Sequence, residues 1–141
     1  MECELPRKNA SSDEIRAILK NHRIIAVVGL SDKPDRPSFG VSAYMQKHGY
    51  RIIPVNPMLK GPVLGEASYA KLAEVREPIE VVNIFRKPDE VPAIVDEAIA
   101  KGAKVIWMQE GIVHNEAAEK ARAAGLQVVM NKCLLKEHRA G

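Results

Sequence analysis

Five short, largely apolar runs set the rhythm of the chain: Ile24 to Val28, Arg51 to Val55, Glu80 to Ile84, Lys104 to Met108 and Gln127 to Met130. The first, Ile24-Ile25-Ala26-Val27-Val28, is apolar throughout and mostly β-branched, as suits a strand covered on both faces. Helical patterns fill the intervals. Ser11 and Glu14 have the spacing of a capping box, ahead of a helix that buries Ile15, Ile18 and Leu19. Val41, Tyr44, Met45 and His48 share one face of a second helix, closed by Gly49. Tyr69, Leu72, Ala73 and Val75 predict a shorter helix after Ser68. Asp89 is the expected cap of a helix through Val91, Ile94, Val95, Ala98 and Ile99, ended by Gly102. Pro92 falls in its first turn, where amide hydrogens have no helical partner. Asn115 is the expected cap of a last helix, Ala117 to Ala124, ended by Gly125.

Strand, helix and strand alternate along the chain, so right-handed crossovers place helices on both faces of a parallel sheet. The expected architecture is α/β, a Rossmann-like doubly wound sheet of five parallel strands. It forms a single domain over residues 1–141, with its core at about 12–138.

Composition narrows the function. The chain has 141 residues, 46% of them apolar, enough for one core. Charged residues make up 28%, but the net charge is only +3 and the signs are interspersed, which argues against nucleic acid as a partner. The two cysteines, Cys3 and Cys133, form neither a disulfide framework nor a zinc spacing. Met1 to Arg7 has no apolar run of signal-peptide type, and no stretch approaches the roughly 20 apolar residues that cross a bilayer. A cytoplasmic protein without a membrane partner is expected.

In open parallel sheets, ligands bind beyond the carboxyl ends of the strands. The first such loop, Gly29 to Gly40, is long for a strand-to-helix turn. Gly29 and Ser31 open it, and Pro37, Ser38 and Gly40 stand at the start of the next helix. Bare amides and the helix dipole favour a phosphate there, and Lys33 and Arg36 add positive charge. The glycine fingerprint of dinucleotide enzymes, G-x-G-x-x-G, is absent. The second strand ends in Val55-Asn56-Pro57 with Lys60 beyond, and not in the carboxylate that holds an unmodified ribose. That chemistry suits an adenosine with a phosphate on its ribose; a plain turn with a solvated lysine is the competing reading. Phe85 falls at the end of the third strand, beside an adenine face or in the core, with Arg86 and Lys87 next to it. Gln109, Glu110 and Gly111 make a polar turn after the fourth strand, expected to expose backbone donors.

Together these segments resemble the CoA-binding domain family, including the N-terminal domain of the succinyl-CoA synthetase alpha subunit and, more closely, small stand-alone bacterial and archaeal members. The segments that carry the resemblance are Ala26-Val27-Val28-Gly29 with Arg36-Pro37-Ser38, Pro54-Val55-Asn56-Pro57, and Val82-Asn83-Ile84-Phe85-Arg86. Trp107 to Ile112 and Asn131-Lys132-Cys133 complete the set. The resemblance implies coenzyme A or acyl-CoA as ligand. The loop from Gly29 to Gly40 would cradle the pyrophosphate, and Val55, Asn56, Pro57 and Lys60 the adenosine and its ribose phosphate. Ile84, Phe85 and Arg86 would line the nucleotide, and Gln109 to Gly111 would approach the pantetheine arm. Lys60 stands a little further from Pro57 than in the synthetase pattern, and the synthetase's second domain, with its phosphorylated histidine, has no counterpart.

No His22, His48, His114 or His138 has a carboxylate or nucleophile at a spacing that names a mechanism, and Glu110 is a lone acid in the expected cleft. Cys133 is read as a buried structural cysteine, with exchange with a CoA thiol as the competing role. A non-catalytic CoA carrier, sensor or regulatory module is therefore expected, either as a homo-oligomer or with an enzyme partner. The alternatives are an NAD(P)-binding oxidoreductase-type domain and the CoA-binding subunit of a multi-chain acyl-CoA synthetase.

Overall fold

The computed structural model describes residues 5–141, so Cys3 lies outside the described residues. Five parallel strands form one sheet: β1 (Ile24–Val28), β2 (Arg51–Val55), β3 (Val81–Ile84), β4 (Val105–Met108) and β5 (Gln127–Val129). Their spatial order is β2-β1-β3-β4-β5. The helices are α1 (Ser12–Asn21), α2 (Pro37–Lys47), α3 (Val91–Ala100), α4 (Asn115–Ala123) and α5 (Leu134–Ala140).

Alternation along the strands divides the core into two layers. Ala26, Ile106 and Met108 pack with Val91, Ile94 and Val95 of α3 and Ala118 and Ala121 of α4. Ile25, Val27 and Trp107 pack on the other face with Ile15 and Ile18 of α1, Val41 and Met45 of α2, and Leu134 of α5. Both faces are thus covered, which is why the strand runs are continuously apolar. Among the described residues no helix is long and apolar enough to cross a membrane.

The capping box of α1 forms as its spacing predicts: Ser11 Oγ accepts from Glu14 N at 3.1 Å and Glu14 Oε1 from Ser11 N at 3.0 Å. Three local expectations differ from the structure, and one helix is added. The helix expected around Tyr69 to Val75 is a single 3₁₀ turn, Leu72–Glu74. Tyr69 instead pairs along the edge of β2, donating to Pro54 O at 3.0 Å and accepting from Asn56 N at 2.9 Å. Edge pairing and burial of Leu72 and Val75 outweigh the helical spacing. Asp89 is not the cap of α3; it sits in a 3₁₀ turn, Pro88–Glu90, which runs straight into the helix. Asn115 is not the cap of α4 either. His114 Nδ1 accepts from Ala117 N at 3.0 Å, while Asn115 holds the N-terminal segment through Arg7 N and Leu5 O. Finally, α5 is a helix that the apolar pattern does not announce, because it is short and buries little beyond Leu134.

His138 ties α5 down. Its Nδ1 lies 2.8 Å from Tyr44 Oη, and its ring meets those of His48 and Tyr50 edge-on, at centroid distances of 5.0 and 5.7 Å. Burial, followed by the charges of His48 and Arg23, holds its pKa below the usual histidine value. A histidine depressed in this way costs nothing above its unfolded pKa and destabilises the fold as pH falls below it. Lowering the pH from about 7.5 to about 5.5 should therefore reduce the melting temperature, and His138→Gln should remove part of that reduction. Identical pH dependence in thermal melts of the two proteins would contradict this role.

Candidate functional site

Strand order reverses between β1 and β3, and a trench opens there at the carboxyl edge of the sheet. Gly29 makes it possible. Its N–H donates to Val55 O at 2.8 Å, and Phe85 N donates to Val28 O at 2.9 Å, so the ends of three strands are fastened at one point. Gly29 has φ of +94°, and a Cβ there would lie 2.6 Å from the carbonyl oxygen of Phe85. Only glycine fits.

Beyond Gly29 the loop is shaped by its own polar side chains. Leu30 is buried, and its carbonyl accepts from Asn56 Nδ2 at 3.1 Å, linking the loops after β1 and β2. Asn56 Oδ1 accepts from Met58 N at 3.0 Å, which turns the second loop toward the first. Ser38, buried in the first turn of α2, accepts from Ser31 N at 3.0 Å, and Ser31 Oγ accepts from Lys33 N at 3.1 Å. Arg36 is the N-cap of α2 and supplies no side-chain cap, while Pro37 needs no N–H partner. The first turn therefore faces the trench without an internal anion.

A cavity of about 630 Å³ occupies this end. Of the residues singled out in the sequence, it brings together Gly29, Ser31, Arg36, Pro37, Ser38, Asn56, Lys60 and Phe85 along its lining. Lys33, Asp32, Met58 and Leu59 join them. Lys33, Arg36 and Lys60 take part in no ion pair among the described residues, and all three border this one cavity. A second cavity of about 530 Å³ shares Pro37 and Phe85 with the first and extends across β3 and β4. Its walls are mainly apolar, with Val41, Pro88 and Ile112. Gln109, Glu110, Arg86 and Lys87 give it polar edges, and Cys133, buried at the start of α5, also borders it.

Several expected residues stand apart from these two cavities. Gly40 is exposed one turn into α2 with open space around it. Val55 and Pro57 border a smaller cavity of about 290 Å³ on the α3 side. Ile84 is wholly buried in the core beneath α3. Arg86 does reach the mouth, but Glu90 Oε1 lies 2.7 Å from its Nη2, so its charge is already balanced. The turn after β4 also exposes less than its sequence leads one to expect. Gly111 N donates to Asn131 Oδ1 at 2.7 Å and Ile112 N to Gln109 O at 2.9 Å. Glu110 is paired with Lys136 at 3.0 Å. Of the histidines, His22 lies at the opposite edge of the sheet against Glu80, at 3.0 Å. Asn83, in the middle of β3, has no role assigned by the sequence beyond its place in a family segment; a polar side chain inside an apolar run is the signal that marks it.

Comparison with known proteins shows the family and the fold. The sequence model of a CoA binding domain family matches residues 23–139. An uncharacterized protein of Bacillus subtilis (strain 168), YneT, is 42% identical over 131 residues, 93% of this chain and 96% of that protein. A hypothetical protein from Pyrococcus horikoshii OT3 has a solved structure that is 41% identical, with a TM-score of 0.90, covering 99% of this chain and 98% of that one. The fold also recurs in the dinucleotide-forming acetyl-coenzyme A synthetase 1 of Ca. Korarchaeum cryptofilum. That structure is 23% identical with a TM-score of 0.64, covering 74% of this chain and 25% of that one, and the likeness is of fold alone.

Two glycines that look alike in sequence should behave differently. Gly29→Ala forces a strained φ and a backbone clash, and should cost about 2 kcal/mol or more. Gly40→Ala enters open space on a helix and should stabilise by roughly 0.5–1 kcal/mol. Denaturant unfolding distinguishes them, and a Gly29→Ala protein as stable as the wild type would contradict the close approach.

Proposed function

We propose that this chain, which belongs to the CoA binding domain family, binds coenzyme A or an acyl-CoA along the trench, as a carrier, sensor or regulatory module. The observation that carries the reading is the pair of joined cavities. One holds the unpaired cations Lys33, Arg36 and Lys60; the other is mainly apolar and meets the first at Pro37 and Phe85. A ligand with a polyanionic head and a long uncharged arm matches both. The phosphates lie against Ser38 and Arg36 at the start of α2, and the arm passes over Phe85 toward Gln109 and Cys133. The ribose phosphate lies near Lys60, because Asn56 stands where a dinucleotide enzyme needs a carboxylate.

Calorimetric titration tests this. CoA should bind more tightly than NAD, and added salt should weaken it. A charge-assisted contact contributes about 1.5–3 kcal/mol when well formed and less when exposed, so CoA should bind roughly tenfold tighter than dephospho-CoA. Lys60→Ala should narrow that gap and leave dephospho-CoA nearly unchanged. Tighter binding of NAD than of CoA would overturn the reading. Equal weakening of both CoA forms would move Lys60 to the pyrophosphate.

A further inference from the structure

The middle of β3 carries an anomaly. Asn83 is fully buried between Val27 of β1 and Trp107 of β4, with which it stands in register. Its Oδ1 accepts from Gln109 Nε2 at 2.7 Å, but its own Nδ2 has no partner. A buried amide with an unmet donor destabilises a core that an apolar side chain of similar shape would fill without loss. Its position explains what is gained. Asn83 shares the face of β3 with Val81 and Phe85, and Gln109 shares the face of β4 with Trp107. Gln109 is itself buried, yet it borders the second cavity, one step nearer the carboxyl edge than Asn83. With its Nε2 committed to Asn83, the amide of Gln109 is held in one orientation, and its carbonyl oxygen remains for the cavity.

We infer that Asn83 is a positioning residue, which fixes Gln109 as a hydrogen-bond acceptor for an N–H of an amide-bearing ligand arm. The inference rests on the proposed CoA reading and goes beyond it, because it separates an amide-bearing arm from a plain alkyl chain of the same length. An alkyl chain would leave Gln109 unmet in a mainly apolar cavity. A secondary amide gives its oxygen a donor where bulk water is largely excluded.

The test compares CoA with adenosine 3′,5′-bisphosphate, which has the phosphorylated nucleoside but no arm, in wild type, Asn83→Leu and Gln109→Met. Both variants should weaken CoA by about tenfold and change the bisphosphate by less than about twofold. Asn83→Leu removes one unmet donor, Asn83 Nδ2, but leaves Gln109 Nε2 without its acceptor, so its melting temperature should stay close to that of wild type. Equal changes for the two ligands, or no change for either, would overturn the inference, as would a wild type that binds CoA no tighter than the bisphosphate. A wild type that binds neither ligand would refute the CoA reading, and the inference would fall with it.

Discussion

The approach of Gly29 to the Phe85 carbonyl is the constraint on which the site depends. At that point β1 ends between two parallel neighbours, fastened to Val55 on one side and to Phe85 on the other. The chain leaving β1 must turn toward α2, while the chain leaving β3 turns toward α3. The gap between the two departures is the trench. A side chain at position 29 would push the β3 exit away, and with it Phe85, which with Pro37 joins the two cavities.

Charge is distributed to match. Arg51 is paired with Glu66 and Glu77, Arg86 with Glu90, and Lys136 with Glu110. Lys33, Arg36 and Lys60 have no such partner among the described residues and converge on one cavity, beside an uncapped helix start. A net charge of only +3 therefore conceals a local positive field, of the kind that attracts an anion without making the whole surface a polyanion binder.

Much of this was legible in the chain. Buried parallel strands are continuously apolar, so β1 and β2 fall at the residues their runs predict, and the other three differ by a residue at an end. The loops after the strands could be located for the same reason, and the family resemblance added the ligand class. What escaped the sequence was set by contacts between distant residues. Tyr69 is drawn into edge pairing with β2, and His114 takes the cap that Asn115 would otherwise hold. Local spacing does not record whether Arg86 is already paired or Gly40 faces open space. Asn83 is the instructive case: its polarity was visible in an apolar run, but only the structure shows that its partner is Gln109.

Amide chemical-shift mapping during a CoA titration tests the central claim most directly. The account predicts saturable changes along the carboxyl edge, from Gly29, Ser31 and Ser38 through Phe85 to Gln109. Changes gathered instead at the opposite edge, around His22, Glu80 and Gly125, or no saturable change at all, would contradict it.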